Sequence, residues 1–222
     1  VLTSAVGMTQ EQEIVPGVSL ELAEYRAAHL QNINYRLYFD VPADSVASIA
    51  ATANITFDLD AIDQPLQLDF RESPNSLKSL SANGIELGAT YKNEHIVVPP
   101  SVLRVGSNTV QIEFEAGSSS LNRNPEFLYT LFVPDRARTA FPLFDQPSLK
   151  ATFDLTLDIP AGWKALSNGA VASKTEVAEK TRYRFTRTDP ISSYLFSFVV
   201  GDFELVSRSY EGGSMTLWHR ET

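Results

Sequence analysis

Apolar side chains recur at every second position over most of this chain, and this period of two constrains the fold more than any other feature. Alternation of this kind indicates β-strands with one buried face and one wet face. Turn-forming pairs such as Asn83-Gly84, Asn168-Gly169 and Gly212-Gly213 separate the alternating segments. The clearest segments are residues 33–41, 53–59, 66–70, 110–114, 153–159 and 194–200. The pattern predicts an all-β, multi-sheet antiparallel sandwich with at least ten strands.

One segment near the start has a helical period instead. Leu20, Ala23, Ala27 and Leu30 follow a 3-4-3 spacing, and Ser19 is a suitable N-cap. We therefore expect one short N-terminal helix near residues 18–30. Residues 1–16 are expected to form an irregular lead-in, and residues 17–222 a single β-rich domain without an internal linker.

Composition excludes several classes of protein. The 222 residues contain no cysteine, so thiol catalysis, disulfides and cysteine metal sites are excluded. A formal net charge of −9 argues against nucleic-acid binding through a basic face. No apolar run reaches the roughly 20 residues that span a bilayer, so no membrane span is expected.

The two ends of the chain suggest a longer protein. Residue 1 is Val, so either a leader was removed or the chain starts inside a longer protein, and the chain stops just after the strand pattern at 215–218. We expect truncation before a following domain. The sequence does not decide the cellular compartment, but the polar lead-in favours export to a bacterial periplasm or cell envelope.

The histidines do not form a recognisable metal motif. His29, His95 and His219 lie far apart, and none belongs to a His-Glu-x-x-His pair on one helix face. A nucleophile elbow and a phosphate-binding glycine loop are also missing from the sequence. We expect no metal site and no catalytic residue in this chain.

Residues 121–150 form the most distinctive stretch. Residues 127–133 are almost continuously apolar, which predicts a strand buried on both faces. Asp145 and Arg138 then lie among prolines and phenylalanines, and we expect them to pair within a rigid corner of the sandwich.

This stretch also carries a family resemblance. Residues 137–147, ARTAFPLFDQP, resemble the Ala-Arg-x-x-Phe-Pro-Cys-x-Asp-x-Pro signature of the aminopeptidase N family of gluzincin metallopeptidases. The matching positions are Arg138, Phe141, Pro142, Asp145 and Pro147, which the resemblance assigns to a structural motif. Leu143 stands where many members have Cys. Residues 163–169 and 197–203 are similar to flanking family segments, so the likeness covers roughly residues 30–210.

The resemblance implies a zinc-dependent aminopeptidase that removes N-terminal residues from peptides. In that family the N-terminal domain is a saddle of β-sheets, and the zinc ligands lie in the next domain. The chain lacks those motifs, so the resemblance implies a cleft-shaping domain that is not catalytic alone. Its expected partners are its own downstream catalytic domain and peptide substrates, with zinc in the parent enzyme and none in this fragment.

Family members hold the substrate's free amine partly through a Gln-x-Glu or Gln-x-Gln pair before the signature. Counted back without gaps, this pair falls on Leu131 and Val133, and neither residue can bind an ammonium group. Another local alignment would place Glu126, Tyr129 or Thr130 near the pocket. We therefore expect an apolar substrate pocket along residues 126–138.

Two other functions remain open from the sequence. The chain is also compatible with a stand-alone β-sandwich binding module for carbohydrate or protein adhesion, in which Tyr38, Tyr91 and Trp163 would stack on sugar rings. The remaining alternative is a structural domain that serves only protein assembly.

Overall fold

The structure is a computed structural model that describes residues 13–88 and 90–220. Residues 1–12 of the expected lead-in lie outside the described residues. The predicted helix is present as α1, Leu20–His29, and the Ser19 side chain caps it by accepting the N–H of Leu22 at 3.1 Å. No helix in the described ranges has both the length and the apolar character needed to cross a membrane.

Strands dominate the rest of the described chain, as the period-two pattern predicts. Four single-turn 3₁₀ helices connect them, at Pro74–Ser76, Pro100–Val102, Ala137–Thr139 and Ser193–Leu195. The strands are β1 Leu30–Asp40, β2 Ile49–Leu59, β3 Leu66–Asp69, β4 Leu77–Ala82, β5 Ile85–Glu86, β6 Tyr91–Lys92, β7 His95–Val98, β8 Gly106–Ala116, β9 Leu121–Arg123, β10 Phe127–Thr130, β11 Thr152–Pro160, β12 Lys164–Ser167, β13 Val171–Val177, β14 Lys180–Phe185, β15 Phe198–Gly201, β16 Glu204–Tyr210 and β17 Gly213–His219.

These strands form four sheets. The largest has eight strands in the order β13-β14-β11-β1-β2-β8-β4-β5, and the others are β12-β15-β10-β9, β3-β7-β6 and the hairpin β16-β17. Among the described strands every pair is antiparallel except β1 with β11, which run parallel. Parallel neighbours need a long crossover connection, and here all the chain between residues 40 and 152 supplies it.

The hydrophobic core lies on the inner face of the eight-stranded sheet. The four-stranded sheet covers one part of that face, where Phe39 of β1 meets Phe198 of β15 at 5.2 Å between ring centroids. The three-stranded sheet is continued by Phe70, whose ring lies 5.6 Å from that of Phe114 in β8. The two smaller sheets thus share one side of the large sheet, which gives the predicted all-β sandwich.

The segment 127–133 differs from its prediction. It is not buried on both faces: Leu128 and Phe132 are buried, whereas Tyr129, Leu131 and Val133 are exposed. The strand has ordinary alternation, and its outer positions are filled by apolar side chains, which is why the sequence reads as a continuous apolar run.

Candidate functional site

The candidate site is the outer surface of β10 and its continuation toward the 137–147 signature. Tyr129, Leu131 and Val133 point outward at alternate positions, with exposed fractions of 41%, 47% and 52%. On the same side of the four-stranded sheet, Leu166 of β12 is also exposed. Registry places Tyr129 opposite Val199 and Val199 opposite Leu166. We call the exposed side chains of Tyr129, Leu131 and Val133 the apolar row; Val199 and Leu166 extend it across β15 and β12.

Hydrogen bonds fix the position of this row. β10 pairs with β9 on one side and β15 on the other, and the N–H of Leu131 extends the pairing by donating to the carbonyl of Ser120 at 3.0 Å. The buried Thr130 hydroxyl oxygen accepts the N–H of Phe198 at 3.1 Å. Thr130 therefore supports the strand from the inner side and does not reach the outer surface.

Glu126 lies at the opposite end of β10 from Leu131. An extended chain rises about 3.3 Å per residue, so five residues separate them by about 16 Å. The Glu126 carboxylate accepts a hydrogen bond from Arg220 Nη1 at 3.0 Å, and the Arg220 guanidinium lies 4.5 Å from the centre of the Phe127 ring. Glu126 thus pairs with a residue just after β17. It does not share a surface with Leu131 and Val133.

The signature begins just beyond the apolar row. The Val133–Pro134 peptide bond is cis, and the 3₁₀ helix Ala137–Thr139 follows. The predicted pairing of Arg138 with Asp145 is present: Arg138 Nε lies 3.3 Å from Asp145 Oδ2, and the Arg138 N–H donates to the same oxygen at 3.1 Å. Arg138 Nη2 also contacts Asp135 Oδ2 at 2.7 Å.

Asp145 connects the signature to the rest of the fold. Its Oδ1 accepts the Ser193 hydroxyl at 2.7 Å, and its own N–H donates to Oδ2 of Asp69 at 2.7 Å. Burial raises the pKa of the Asp145 carboxyl, while the hydrogen bonds from Ser193 and Arg138 favour its charged form. These contacts are internal, so Asp145 orients the corner and does not face solvent.

The other signature residues pack or cap. Phe141 and Pro142 are buried, and the Phe141 ring meets Tyr35, Phe132 and Phe196 at 5.7–6.5 Å between centroids. Pro147 is exposed, and its carbonyl accepts the Ser192 hydroxyl at 2.7 Å. The signature is therefore a rigid corner that fixes where the exposed row begins.

A buried charged cluster behind this corner was missed from the sequence. Asp69, at the end of β3, is completely buried and accepts Arg26 Nη1 at 2.9 Å and Arg26 Nη2 at 2.7 Å. His95 Nδ1 lies 3.0 Å from Asp69 Oδ1, and His95 Nε2 lies 2.9 Å from the carbonyl of Gly17. Burial would raise the pKa of Asp69, but Arg26 and His95 together lower it to about 2.

Neither this cluster nor the other histidines fit a metal. Asp69 and His95 are already engaged by Arg26 and by backbone carbonyls, and His29 contacts Asp60 near the surface. Within residues 13–88 and 90–220, no group of three or more His, Cys, Asp or Glu side chains could hold a metal ion. A structural zinc or catalytic zinc would need such a convergent set.

Comparisons with known proteins agree with the geometry. A sequence model described as the peptidase M1 N-terminal domain matches residues 32–195. "Aminopeptidase N" of Streptomyces lividans is 28% identical over 211 residues, which cover 89% of this chain and 24% of that protein. "Glutamyl aminopeptidase" of Homo sapiens is 27% identical over 238 residues, covering 94% and 25%. "Puromycin-sensitive aminopeptidase" of Caenorhabditis elegans is 43% identical over 86 residues, covering 38% and 9%. The chain spans about a quarter of the two relatives it matches along most of its length.

Proposed function

The chain belongs to the family of peptidase M1 N-terminal domains, and we propose that it forms one wall of the substrate cleft in a longer zinc aminopeptidase. The matched family and the names of the relatives support the reaction class, which is hydrolysis of the N-terminal residue from peptides. In this proposal the chain itself is not catalytic, and its domain partner is the downstream part of the same polypeptide.

The apolar row of Tyr129, Leu131 and Val133 carries this proposal. Large apolar side chains are exposed here on β10, which is paired on both sides, and on the residues 131–133 that follow it, directly before the buried signature. Exposed contiguous apolar surface on a rigid support is typical of a binding or interdomain face. Counted back from the signature without gaps, Leu131 and Val133 also fall on the two positions at which the family resemblance implies contact with the substrate amine.

Such a wall acts through packing and water exclusion. Leu131 and Val133 have no polar side-chain atom to meet an ammonium group, so they contact the first side chain of the substrate or a neighbouring domain. An apolar pocket discriminates side chains that differ by one methylene by about 1–3 kcal/mol. The amine would then be held by groups outside the described residues.

The hairpin β16-β17 supports a downstream partner. Among the described strands, β16 and β17 pair only with each other, and Met215 and Leu217 are 69% and 61% exposed. An isolated two-stranded hairpin is marginal in water. A packed neighbour would cover these side chains and stabilise the hairpin.

In this proposal zinc is bound by the parent enzyme outside the described residues. Zinc supplies Lewis-acid activation of the scissile carbonyl and of water in such enzymes. Because the described residues offer no ligand set, we assign no residue of this chain to the metal and derive no reaction step from it.

A stand-alone carbohydrate-binding module is less well supported. Sugar stacking needs exposed aromatic faces, but Trp163 is buried, the Tyr91 hydroxyl donates to the carbonyl of Phe70, and the Tyr38 hydroxyl donates to Asp158 beneath Arg182. None of these three rings forms an open platform. A role in protein assembly alone would leave the row of Leu131 and Val133 without influence on catalysis.

The proposal is tested by kinetics of the parent enzyme with aminoacyl substrates of graded side-chain size. Leu131→Ala and Val133→Ala should each change the ratio of kcat/KM between large and small first residues by about tenfold. Val105→Ala is the matched control, because Val105 is an exposed apolar side chain (63%) in the loop before β8, outside the four-stranded sheet.

The melting temperature separates function from folding. Both variants remove exposed side chains, so they should melt close to the wild type. Unchanged selectivity in both variants, with the parent still active, would reject the cleft wall and favour the assembly role.

A further inference from the structure

The outer face of the eight-stranded sheet holds an open trough of about 650 Å³. It lies opposite the core, because Tyr35 and Leu37 of β1 are buried while Asn34 and Arg36 alternate with them on the outer side. The trough is therefore separate from the apolar row on the four-stranded sheet, and it is not explained by the proposed function.

Strand registry builds the floor of the trough from short polar side chains. One row crosses four strands, with partners Thr152–Asn34, Asn34–Thr56 and Thr56–Thr109. The next row pairs Asp154 with Arg36 and Arg36 with Asn54. A smaller cavity of about 280 Å³ adjoins the trough at Asn54.

The trough is locally basic in an acidic chain. It is lined by Arg36, Lys150 and Arg187, although the formal net charge of the whole chain is −9. Arg187 is bound to Asp154 Oδ2 at 2.7 Å. Over the described ranges, Arg36 and Lys150 have no carboxylate within 4 Å. Arg36 acts on Asp154, its registry partner, through charge but without a direct contact. The ammonium group of Lys150 and the N–H groups of Arg36 are therefore available to a ligand in the trough.

The floor also has unused hydrogen-bonding groups. The side chains of Asn54, Thr56 and Thr109 make no hydrogen bond to another described residue, whereas Asn34 already donates to Thr152 and Asp154. Among the residues that the structure describes, no aromatic ring lines the trough. A ligand there would be held by charge and hydroxyl contacts and not by stacking.

We propose that this trough binds a small hydroxylated anion, with its carboxylate or phosphate group at Arg36 and Lys150 and its hydroxyls at Asn54, Thr56 and Thr109. Asp154 is the registry partner of Arg36, and Lys150 precedes Asp154 by four residues. The Cα atoms of Arg36 and Lys150 are therefore about 13 Å apart along the strand direction. Both long side chains can reach an anion over the row between them. The guanidinium and ammonium groups select the charge, and the amide and hydroxyl groups select a sugar-like body.

Calorimetric titration of the chain with four probes tests the site. Glucuronate and glucose 6-phosphate carry the two forms of the anion, glucose lacks the charge, and inorganic phosphate lacks the sugar body. We expect saturable binding of at least one sugar anion with Kd near or below about 1 mM, and weaker binding of glucose and inorganic phosphate. The better of the two sugar anions distinguishes a carboxylate from a phosphate ligand.

Variants assign the binding to the trough. Lys150→Gln and Arg36→Gln should each weaken it about tenfold, the effect of losing one charge-assisted contact. Lys92→Gln is the control, because Lys92 is an exposed lysine of β6 outside the trough. Lys150 is exposed and outside the strands, so its variant should melt like the wild type even if Arg36→Gln does not.

Three results would overturn the proposal. They are failure of both sugar anions to saturate, equal binding of glucose, and equal weakening by Lys92→Gln. The selectivity of Leu131→Ala for the first substrate residue tests only the cleft wall, and the titrations test only the trough. Either proposal can therefore fail without the other.

Discussion

The guanidinium of Arg26 in helix α1 holds the carboxylate of Asp69 in β3 at both oxygens, 2.7 and 2.9 Å away, with both side chains completely buried. Arg26 also donates to the carbonyl of Gln67 at 2.7 Å. Because Asp145 donates its N–H to the same carboxylate, one ion pair connects the helix, the three-stranded sheet and the signature corner.

Breaking this pair should be costly. Arg26→Gln leaves the buried Asp69 carboxylate without its main partner, and removing one member of a buried pair destabilises by about 3–5 kcal/mol. Urea denaturation of the chain measures the free energy of unfolding. Lys78→Ala is the control: its exposed pair with Glu115 should contribute less than about 1 kcal/mol. Comparable losses in the two variants would contradict a central role for Arg26.

The same carboxylate predicts a dependence on pH. The pKa of Asp69 falls from 3.8 to about 2 in the folded chain. A lowered folded pKa stabilises the fold above pH 4, and this contribution of about 2–3 kcal/mol is lost as the pH falls toward 2. The carboxyls of Asp154 and Asp158, whose pKa values are also lowered, add losses of the same sign.

Asp69→Asn isolates the Asp69 contribution. The variant should be less stable than the wild type at pH 6, and the difference in unfolding free energy should narrow between pH 5 and pH 2.5. Parallel curves for the two proteins over that range would mean that Asp69 titrates equally in the folded and unfolded states.

The sequence predicts the sheets well because burial on one face imposes a period of two. The alternation at residues 33–41 and 53–59 became β1 and β2, and Ser19 caps the predicted helix. It does not predict that β1 pairs in parallel with β11, because pairing partners distant in the chain leave no local pattern.

The sequence does not predict the buried charged cluster, because polar residues in a strand pattern are normally assigned to the exposed face. Asp69 and His95 stand in short strands where a polar residue normally signals an exposed position, and only their partner across the fold makes burial tolerable. Conversely, Leu131 and Val133 look buried by composition yet lie outside. Only the family resemblance predicts a substrate-facing role for these two positions, because period and hydrophobicity alone assign apolar residues to the core.

A close backbone approach behind the signature predicts a sensitive glycine. A Cβ added at Gly117 would lie 2.1 Å from the carbonyl oxygen of Thr139 and 2.0 Å from Glu72 Oε1. Gly117→Ala must therefore move the 3₁₀ helix Ala137–Thr139, and we expect a loss of about 1–3 kcal/mol or more in urea denaturation. Gly88→Ala, where nothing lies within 4 Å, should be nearly neutral. A neutral Gly117→Ala would indicate that the corner is pliable.

The exposed hairpin predicts different behaviour in the chain and in its parent. Val206, Met215 and Leu217 share one face of β16-β17 by registry. Leu217→Asp should leave the melting temperature of the chain nearly unchanged, because the Leu217 side chain is already exposed to solvent. The same variant should lower the melting temperature of the parent enzyme, because it places a charge in a packed interface. Thr216→Asp, on the opposite hairpin face, is the matched control. Equal melting of the parent and of its Leu217→Asp variant would argue against docking through this face.

The apolar pair just after β10, Leu131 and Val133, leads to a prediction about how the parent enzyme binds the substrate amine. Leu131 and Val133 follow β10 with their side chains exposed, so a polar replacement at either position buries no unpaired group. The double variant Leu131→Gln, Val133→Glu introduces the Gln-x-Glu pair that the family resemblance, counted back from the signature without gaps, implies at these positions. In the parent enzyme it should lower KM for substrates with a free N-terminal amine, since a carboxylate beside an ammonium group adds a charge-assisted contact of about 1.5–3 kcal/mol. An N-acetylated peptide assayed as a competitive inhibitor is the control, because its neutral amide gains nothing from the introduced carboxylate. Selectivity for large apolar first residues should decline in the same variant, as the wall becomes polar. If the KM of the free-amine substrate and the Ki of the acetylated peptide change equally, the pair lies away from the amine and the apolar row serves another contact.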